Sequence, residues 1–531
     1  MGPWRLVALL ITLLMLVPLS VVLASLFNPE PAIWNHLVEN VLAELTLNTL
    51  WLVLGVSIGT LLIGVSLAWF TAVCHFPGCK LFAWALLLPL AVPAYVTAFV
   101  AVGLLDFTGP LQTWWRAEVG LGHFPEIRSR GGVIAVMILA LYPYVYLIAR
   151  NAFQTQGQRA LEAAQSLGLS RWGGFWRVSL PMARPWIVGG VMLVVMECLA
   201  DFGTVAVFNY DTFTSGIYKA WYSLFSLAAA SQLASLLVIV VLVILLLEQQ
   251  ARARMRYTQI GRGAACQAPI KLRGWRGWLV TLFATTTLLL AFIVPVTQLV
   301  IWTAQAALSD FDARYFNFLW HSLLLASLAA IAVGLTALIL AYAGRRHHDL
   351  PTRALIRIST MGYALPGPVL AVGTFIPIAW LDNVIIDTAQ QWFNIEIGQL
   401  LQGTLLTMLV ALVVRFQAVG FSAIDGHMQR ITTSVDDAAR SLGCSSLTLL
   451  RRIHLPVLSG GILTGMTLVF VDVMKEMPIT LMTRPFGWDT LAVRIFELTS
   501  EGEWQRAALP ALAIVIAGLL PTLLLTHHAE K

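Results

Sequence analysis

Apolar residues fall in twelve stretches, separated by shorter polar or turn-forming segments. In the first half they run Leu6–Phe27, Asn48–Cys74, Leu81–Leu105, Gly131–Ala152, Pro185–Phe208 and Ser226–Leu247. In the second half they run Trp278–Trp302, Phe318–Ala343, Ala354–Trp380, Leu400–Phe421, Gly460–Thr483 and Ala507–Leu525. A helix crossing a bilayer needs about 20 mostly apolar residues, and each stretch meets or approaches that length. Twelve transmembrane helices are therefore expected, with internal Pro and Gly tolerated as they are in lipid. The first stretch carries a small-residue segment, Val21–Ser25, of the kind that ends a cleavable signal. Its apolar run is longer than a usual signal core, so it reads as a span.

Composition agrees with lipid as the main solvent. The chain is 58% hydrophobic and 11% charged, against roughly 25% charged in soluble domains. Lys and Arg concentrate in the loops on the side of both termini, which the positive-inside rule assigns to the cytoplasm. The net charge of +6 thus reflects topology and gives no signal for nucleic acid. Acidic residues lean to the opposite face, which suits a cation or a basic docking partner. Cys74, Cys79, Cys198, Cys266 and Cys444 lie too far apart for a disulfide framework or a structural zinc site. His347-His348 and His527-His528 are adjacent pairs; neighbours on a helix point about 100° apart and make poor joint ligands. No catalytic triad, HExxH helix or nucleotide loop occurs, so no enzyme is expected.

The chain repeats internally. Glu162–Pro181 aligns with Asp437–Pro456, each position 275 further on. The same shift pairs Pro93 with Pro368, Glu197 with Asp472 and Asp201 with Glu476, and a shift of 278 pairs Asp211-Thr212 with Asp489-Thr490. Six spans per half return the chain to its starting side, so the halves are parallel repeats related by an axis along the membrane normal. The expected organisation is a first half at 1–250, a basic cytoplasmic linker at 251–277 and a second half at 278–531. The linker carries seven basic residues, among them Arg252 and Arg276, and reads as a flexible topological anchor that touches anionic head groups.

Both repeated loops, 158–181 and 433–456, follow the fourth span of their half. The run Arg159–Leu167 favours helix. Gly168 is placed to stop it in a left-handed conformation, and Ser170 to cap a second helix. Pro181 then ends that helix or redirects it toward the next span. Gly443, Ser445 or Ser446, and Pro456 repeat the plan. A free amphipathic surface hairpin would satisfy the same pattern, but this loop is retained where the spans around it have drifted.

The spacing Glu-Ala-Ala, three residues, Gly, nine residues, then an aliphatic-x-Leu-Pro resembles the EAA loop of ABC importer permeases. The first copy has Val178 where Ile is usual, and the second has Asp437 where Glu is usual. The resemblance implies an all-α polytopic fold of the type I, MetI-like kind. It also implies that Glu162, Ala163, Ala164, Gly168, Asp437, Ala438, Ala439 and Gly443 dock two separate ATPase subunits. The chain has five lysines, Lys80, Lys219, Lys271, Lys475 and Lys531, none preceded by Gly. It therefore has no Walker A sequence, and ATP belongs to the partners, with no cofactor of its own. A binding protein outside the inner membrane would deliver the substrate.

Leu199–Trp221 and Val473–Leu498 resemble the matching stretches of fused ferric iron permeases. Glu197 and Asp201 are i, i+4 neighbours, as are Asp472 and Glu476, so each pair shares a helix face. With Lys475 and Tyr210 nearby, they form a candidate lining for the path, offering the oxygen ligands a hard cation favours without binding metal tightly. The same carboxylates equally suit a structural ion-pair cluster that orders the outer loops or grips the binding protein. A thiamine or other small-cation permease is the alternative within this class. An ion-coupled secondary transporter is the alternative outside it, and it has no use for the doubled loop.

Overall fold

The apolar stretches form twelve principal helices in the computed structural model, which describes residues 3–27, 31–119, 125–157, 164, 166–253, 270–310 and 313–529. In the first half these are α1 (Pro3–Ala24), α2 (Leu42–Val73), α3 (Ala94–Leu105), α4 (Arg130–Ala152), α5 (Leu180–Ala200) and α6 (Leu227–Ala253). In the second they are α7 (Trp275–Leu288, carried through Leu289–Ile293 into Val294–Asp310), α8 (Ala313–Arg346), α9 (Gly367–Phe393), α10 (Leu405–Met428), α11 (Leu455–Lys475) and α12 (Trp504–Ala529). With the turns that continue them, eleven are long and apolar enough to cross a membrane. The apolar part of α12 among the described residues is shorter, Trp504–Leu519.

The chain packs as two compact units, and neither coincides with a sequence half. One comprises Met1–Val38, Gly216–Val238 and Asp310–Glu497. The other comprises Glu39–Ser215, Ile239–Ser309 and Leu498–Lys531. Each is built on the same three-helix core: α2, α4 and α5 in one, and α8, α10 and α11 in the other. Each also takes helices from the opposite half. In the first unit α1 packs on α8, α9 and the helix Leu350–Ser359. Thr12 shares a hydroxyl hydrogen bond of 2.9 Å with Ser359, Arg5 pairs with Asp349 at 3.0 Å, and Trp4 meets Tyr342 edge-on at 4.7 Å. In the second unit the Trp302 ring of α7 stacks on Phe99 of α3, and Gly103 leaves room for Trp302 and Trp504.

The repeat is legible in the backbone, with a register that drifts. Pro93 starts α3 and Pro366 starts α9, both at φ −58°, each preceded by a 3₁₀ turn, Leu88–Ala91 and Met361–Ala364. The structural partner of Pro93 is thus Pro366, 273 positions on, rather than Pro368. Two residues are gained before α10, and the offset is 275 from there. Where the chain leaves the linker, Ile270–Lys271 forms a short parallel bridge with Cys74–His75, and Thr281 donates to the Pro77 carbonyl at 2.8 Å. Most of the basic linker, 254–269, lies outside the described residues.

Candidate functional site

The duplicated loop folds into the same turn twice. Gly168 has φ +87° and Gly443 φ +81°. In each, the amide after the glycine reaches back to the alanine four residues before it: Leu169 to the Ala164 carbonyl, and Cys444 to Ala439, both at 3.0 Å. That is the Schellman closure of a helix C-terminus, and it requires a residue comfortable at positive φ. Ser170 then accepts from the Gly173 amide at 3.1 Å and Ser445 from the Thr448 amide at 3.3 Å, capping the next helix. Ala164 and Ala439 are buried beneath the turn, while Asp437 and Ala438 are exposed. Glu162 and Ala163 lie outside the described residues.

Sequence reasoning missed what stands at the tip. Leu167 and Leu442, 275 apart, are each 84% exposed. Both lie outside the membrane-spanning stretches, at the same place in each copy. The signal was present, since both fall immediately before the glycine in the two copies.

Of the two outcomes the sequence allowed, the prolines do not end the second helix; the chain runs on into the next span. Wide turns at Phe175–Ser179 and Leu450–His454, closed by bonds from Leu180 to Phe175 and Leu455 to Leu450, carry the chain without a break into α5 and α11. In a regular helix the ring of Pro181 or Pro456 would meet the carbonyl four residues earlier. The extra residue in a π turn relieves that clash. The loop is therefore continuous with the helix that bears the candidate path residues.

At the far end of α5 and α11 the helices stop earlier than the apolar pattern indicates. The chain turns extended at Asp201 (ψ 129°) and Glu476 (ψ 117°), then restarts as Gly203–Phe208 and Pro478–Thr483. Asp201 accepts from the amides of Thr204 (3.0 Å) and Val205 (3.2 Å) and from the Thr204 hydroxyl (2.9 Å). Glu476 accepts from the Ile479 amide at 3.0 Å. Broken backbone at membrane depth must find such partners. The expected i, i+4 pairing on one helix face therefore fails: Glu197 and Asp472 stay on the helices, half-buried, while Asp201 and Glu476 cap the segments after them. Tyr210 donates to the Asn48 carbonyl at 3.3 Å, and Asn48 in turn holds the Asp211 carbonyl at 3.0 Å. His321 holds the Asp489 carbonyl at 3.0 Å, so the paired aspartates are tethered alike.

The second cluster contains a further residue. Arg415 on α10 lies beside Glu476: a side chain added at Gly367 would come 3.0 Å from the Glu476 Oε1 atom and 3.1 Å from Arg415 Nη1. Asp472 is within electrostatic reach of Lys475 and Arg415. The first half has Ala140 and Ala200 where Arg415 and Lys475 stand. An arginine in mid-span is costly enough to be noticed from sequence alone. Among the described residues no group of three or more His, Cys, Asp or Glu is gathered as a metal set.

Comparison with known proteins matches the family model "Binding-protein-dependent transport system inner membrane component" twice, at residues 61–256 and 334–530. The chain is 25% identical over 92% of its length to the Fe(3+)-transport system permease protein FbpB 2 of Haemophilus influenzae, covering 91% of that protein. It is 24% identical to the ferric transport system permease protein FbpB of Actinobacillus pleuropneumoniae, over 92% of this chain and 72% of the other. The sulfate transport system permease protein CysW of a Synechocystis species is 28% identical over 45% of this chain and 88% of its own.

Proposed function

Because the chain belongs to the family of binding-protein-dependent transport system inner membrane components, we propose that it carries ferric iron inward as a fused, two-half ABC importer permease. One observation supports the coupling part of this reading: a rigid glycine turn with an exposed leucine at its tip occurs twice at one offset, each continuous with a spanning helix. Two such turns suit two ATPase subunits, which supply the ATP chemistry and leave this chain without a cofactor. Both termini then lie in the cytoplasm, and a binding protein delivers cargo on the opposite face. Closure of the ATPase pair would move α5 and α11 through the turns and alternate access to the path. Likeness to two ferric permeases over 92% of this chain supports iron. Within this reading Glu197 and Asp472 attract the cation, while Asp201 and Glu476 hold the helix breaks and give few oxygens away. Sparse carboxylates suit a cargo that must be released.

The test is uptake of labelled ferric iron into vesicles holding the chain, its ATPase and its binding protein, beside Gly168→Val plus Gly443→Val. A β-branched residue at positive φ is disfavoured by about 1–2 kcal/mol, enough to dislodge each turn. ATP-dependent iron uptake that is lost in the double variant supports the reading, and uptake independent of the ATPase would overturn it. Arg415 and Lys475 favour a second reading, in which the cargo is anionic. Labelled sulfate entering the same vesicles while iron does not would put that reading in place of iron.

A further inference from the structure

Two phenylalanines project from loops on the face away from the glycine turns. Phe486 is fully exposed and Phe225 is 89% exposed. Phe225 precedes α6, whose other end enters the basic linker. Phe486 lies beyond the break that ends α11, whose 21 residues rise about 31 Å from the second turn, enough to cross the apolar core. Both belong to the same compact unit, and their loops are tied together within it. The Tyr222 hydroxyl donates to the Met482 carbonyl at 2.9 Å, and the Tyr218 ring meets Phe496 edge-on at 5.9 Å. Neither exposed ring is demanded by the repeat. Residues 484–488 lie between Thr483 and Asp489, where the first half has only 209–210 between Phe208 and Asp211, so Phe486 sits in an insertion of three. At the offset of 278, Phe225 meets Glu503.

Each ring is nonetheless held in place by its loop. Phe486 is at the tip of a tight turn closed by the Trp488 amide on the Pro485 carbonyl at 3.1 Å, with Gly487 at φ +72°. Trp488 stacks on His321 with ring centroids 4.3 Å apart, and Arg484 is braced by Asp489 at 2.8 Å and Glu497 at 2.9 Å. Phe225 has φ +53°, a conformation that bulky residues rarely adopt. Around it the amides of Ser223 and Leu224 both bond the Lys219 carbonyl, at 2.8 and 3.0 Å, and the Ser226 amide bonds that of Ala220 at 3.0 Å. Strain of this kind persists only where its surroundings enforce it, and it gathers at functional positions.

We propose that Phe225 and Phe486 are the aromatic anchors on which the substrate-binding protein seats. The kind of partner follows from the family, whose transport is binding-protein-dependent, and from the face, which is opposite to the turns. An exposed ring held rigid beside charged groups, here Arg484, Asp489 and Glu497, has the form of an interface anchor with a polar rim. Its rigidity lowers the ordering cost of association. An ion network is out of place beside acyl chains, which favours protein over lipid as the occupant. The inference rests on the importer reading and deepens it by naming where the binding protein is held.

The experiment places the chain with its ATPase in lipid discs and measures the affinity for its binding protein loaded with ferric iron. Phe486→Ala removes one exposed ring, and Phe225→Gly removes the other while relieving its backbone. Each should weaken binding about tenfold, the cost of losing an anchor ring, with the thermal midpoint of the complex unchanged. Phe486→Trp keeps an aromatic ring and should bind as the parent does. Parent-like affinity in either Phe486→Ala or Phe225→Gly overturns the anchors while leaving the importer reading standing. So does a midpoint that falls along with affinity, which would make the rings structural, or unchanged affinity with poorer recovery in lipid discs, which would make them lipid contacts. No binding by the parent complex overturns the importer reading, and the anchors with it.

Discussion

A carboxylate inside an apolar stretch needs donors, and Asp201 and Glu476 find theirs in amides freed where a helix restarts. Their place in the sequence is explained by capping before any cargo is invoked. Glu197 and Asp472 lie within the helices rather than at the breaks, and this separates the roles experimentally. Asp201→Ala should cost about 1–2 kcal/mol, the usual worth of a cap, and lower the thermal midpoint of the purified chain. Glu197→Ala plus Asp472→Ala should leave that midpoint nearly unchanged and depress iron uptake. Unaltered uptake in the latter pair would remove both residues from the path. Sequence alone treated the four as equivalent, because an i, i+4 spacing presumes an unbroken helix, whereas each helix stops just before its second carboxylate.

Between elements, small residues decide which helices meet. Along α2, Gly55 and Gly59 face Ile134 and Ile138 of α4, and Gly64 faces Val145. A side chain at Gly55 would lie 2.7 Å from Ile134, and one at Gly59 would overlap Ile138. In lipid, where apolar faces gain little by meeting each other, such close approach is the main source of helix pairing. Gly59→Leu should therefore destabilise the α2–α4 pair by about 1–3 kcal/mol, measured as reduced recovery of monodisperse protein in detergent. Gly131→Ala, at a glycine with nothing within 4 Å, is the control expected to change little. The second half solves the same problem differently, with Gly420 of α10 against Val333 and Gly465 of α11 against the Gly420 carbonyl. That is why the spans drift while the turns do not. A turn at positive φ has one good solution, whereas a helix pair has several.

Across the whole molecule the fused halves are interleaved. α1 belongs to the unit built on α8, α10 and α11, while α7 and α12 belong to the unit built on α2, α4 and α5. Neither half therefore contains all of the helices its core packs against. Expressed separately, residues 1–253 and 254–531 should each recover poorly, and together they should co-purify as one species on size exclusion. Stable, independently folded halves would contradict the interleaving. Fusion secures the equal supply of both halves that such an exchange demands.

What the amino-acid sequence determined by itself is local. Apolar runs of span length dictate helices in lipid, because no other open structure satisfies the backbone there. Gly168, Gly443, Ser170 and Ser445 dictate their turn and cap through contacts within a few residues. The 275-residue repeat exposes that local plan twice. Tertiary structure decided the rest: the company of Arg415 and Glu476, the bonds of Arg345 and His454 to Asp436, and the exchange of α1. Each depends on which of twelve similarly apolar helices becomes a neighbour. Hydrophobicity cannot express that choice, since lipid is as apolar as any helix face. It is made by close packing at small residues and by a few buried polar bonds between residues far apart in the chain.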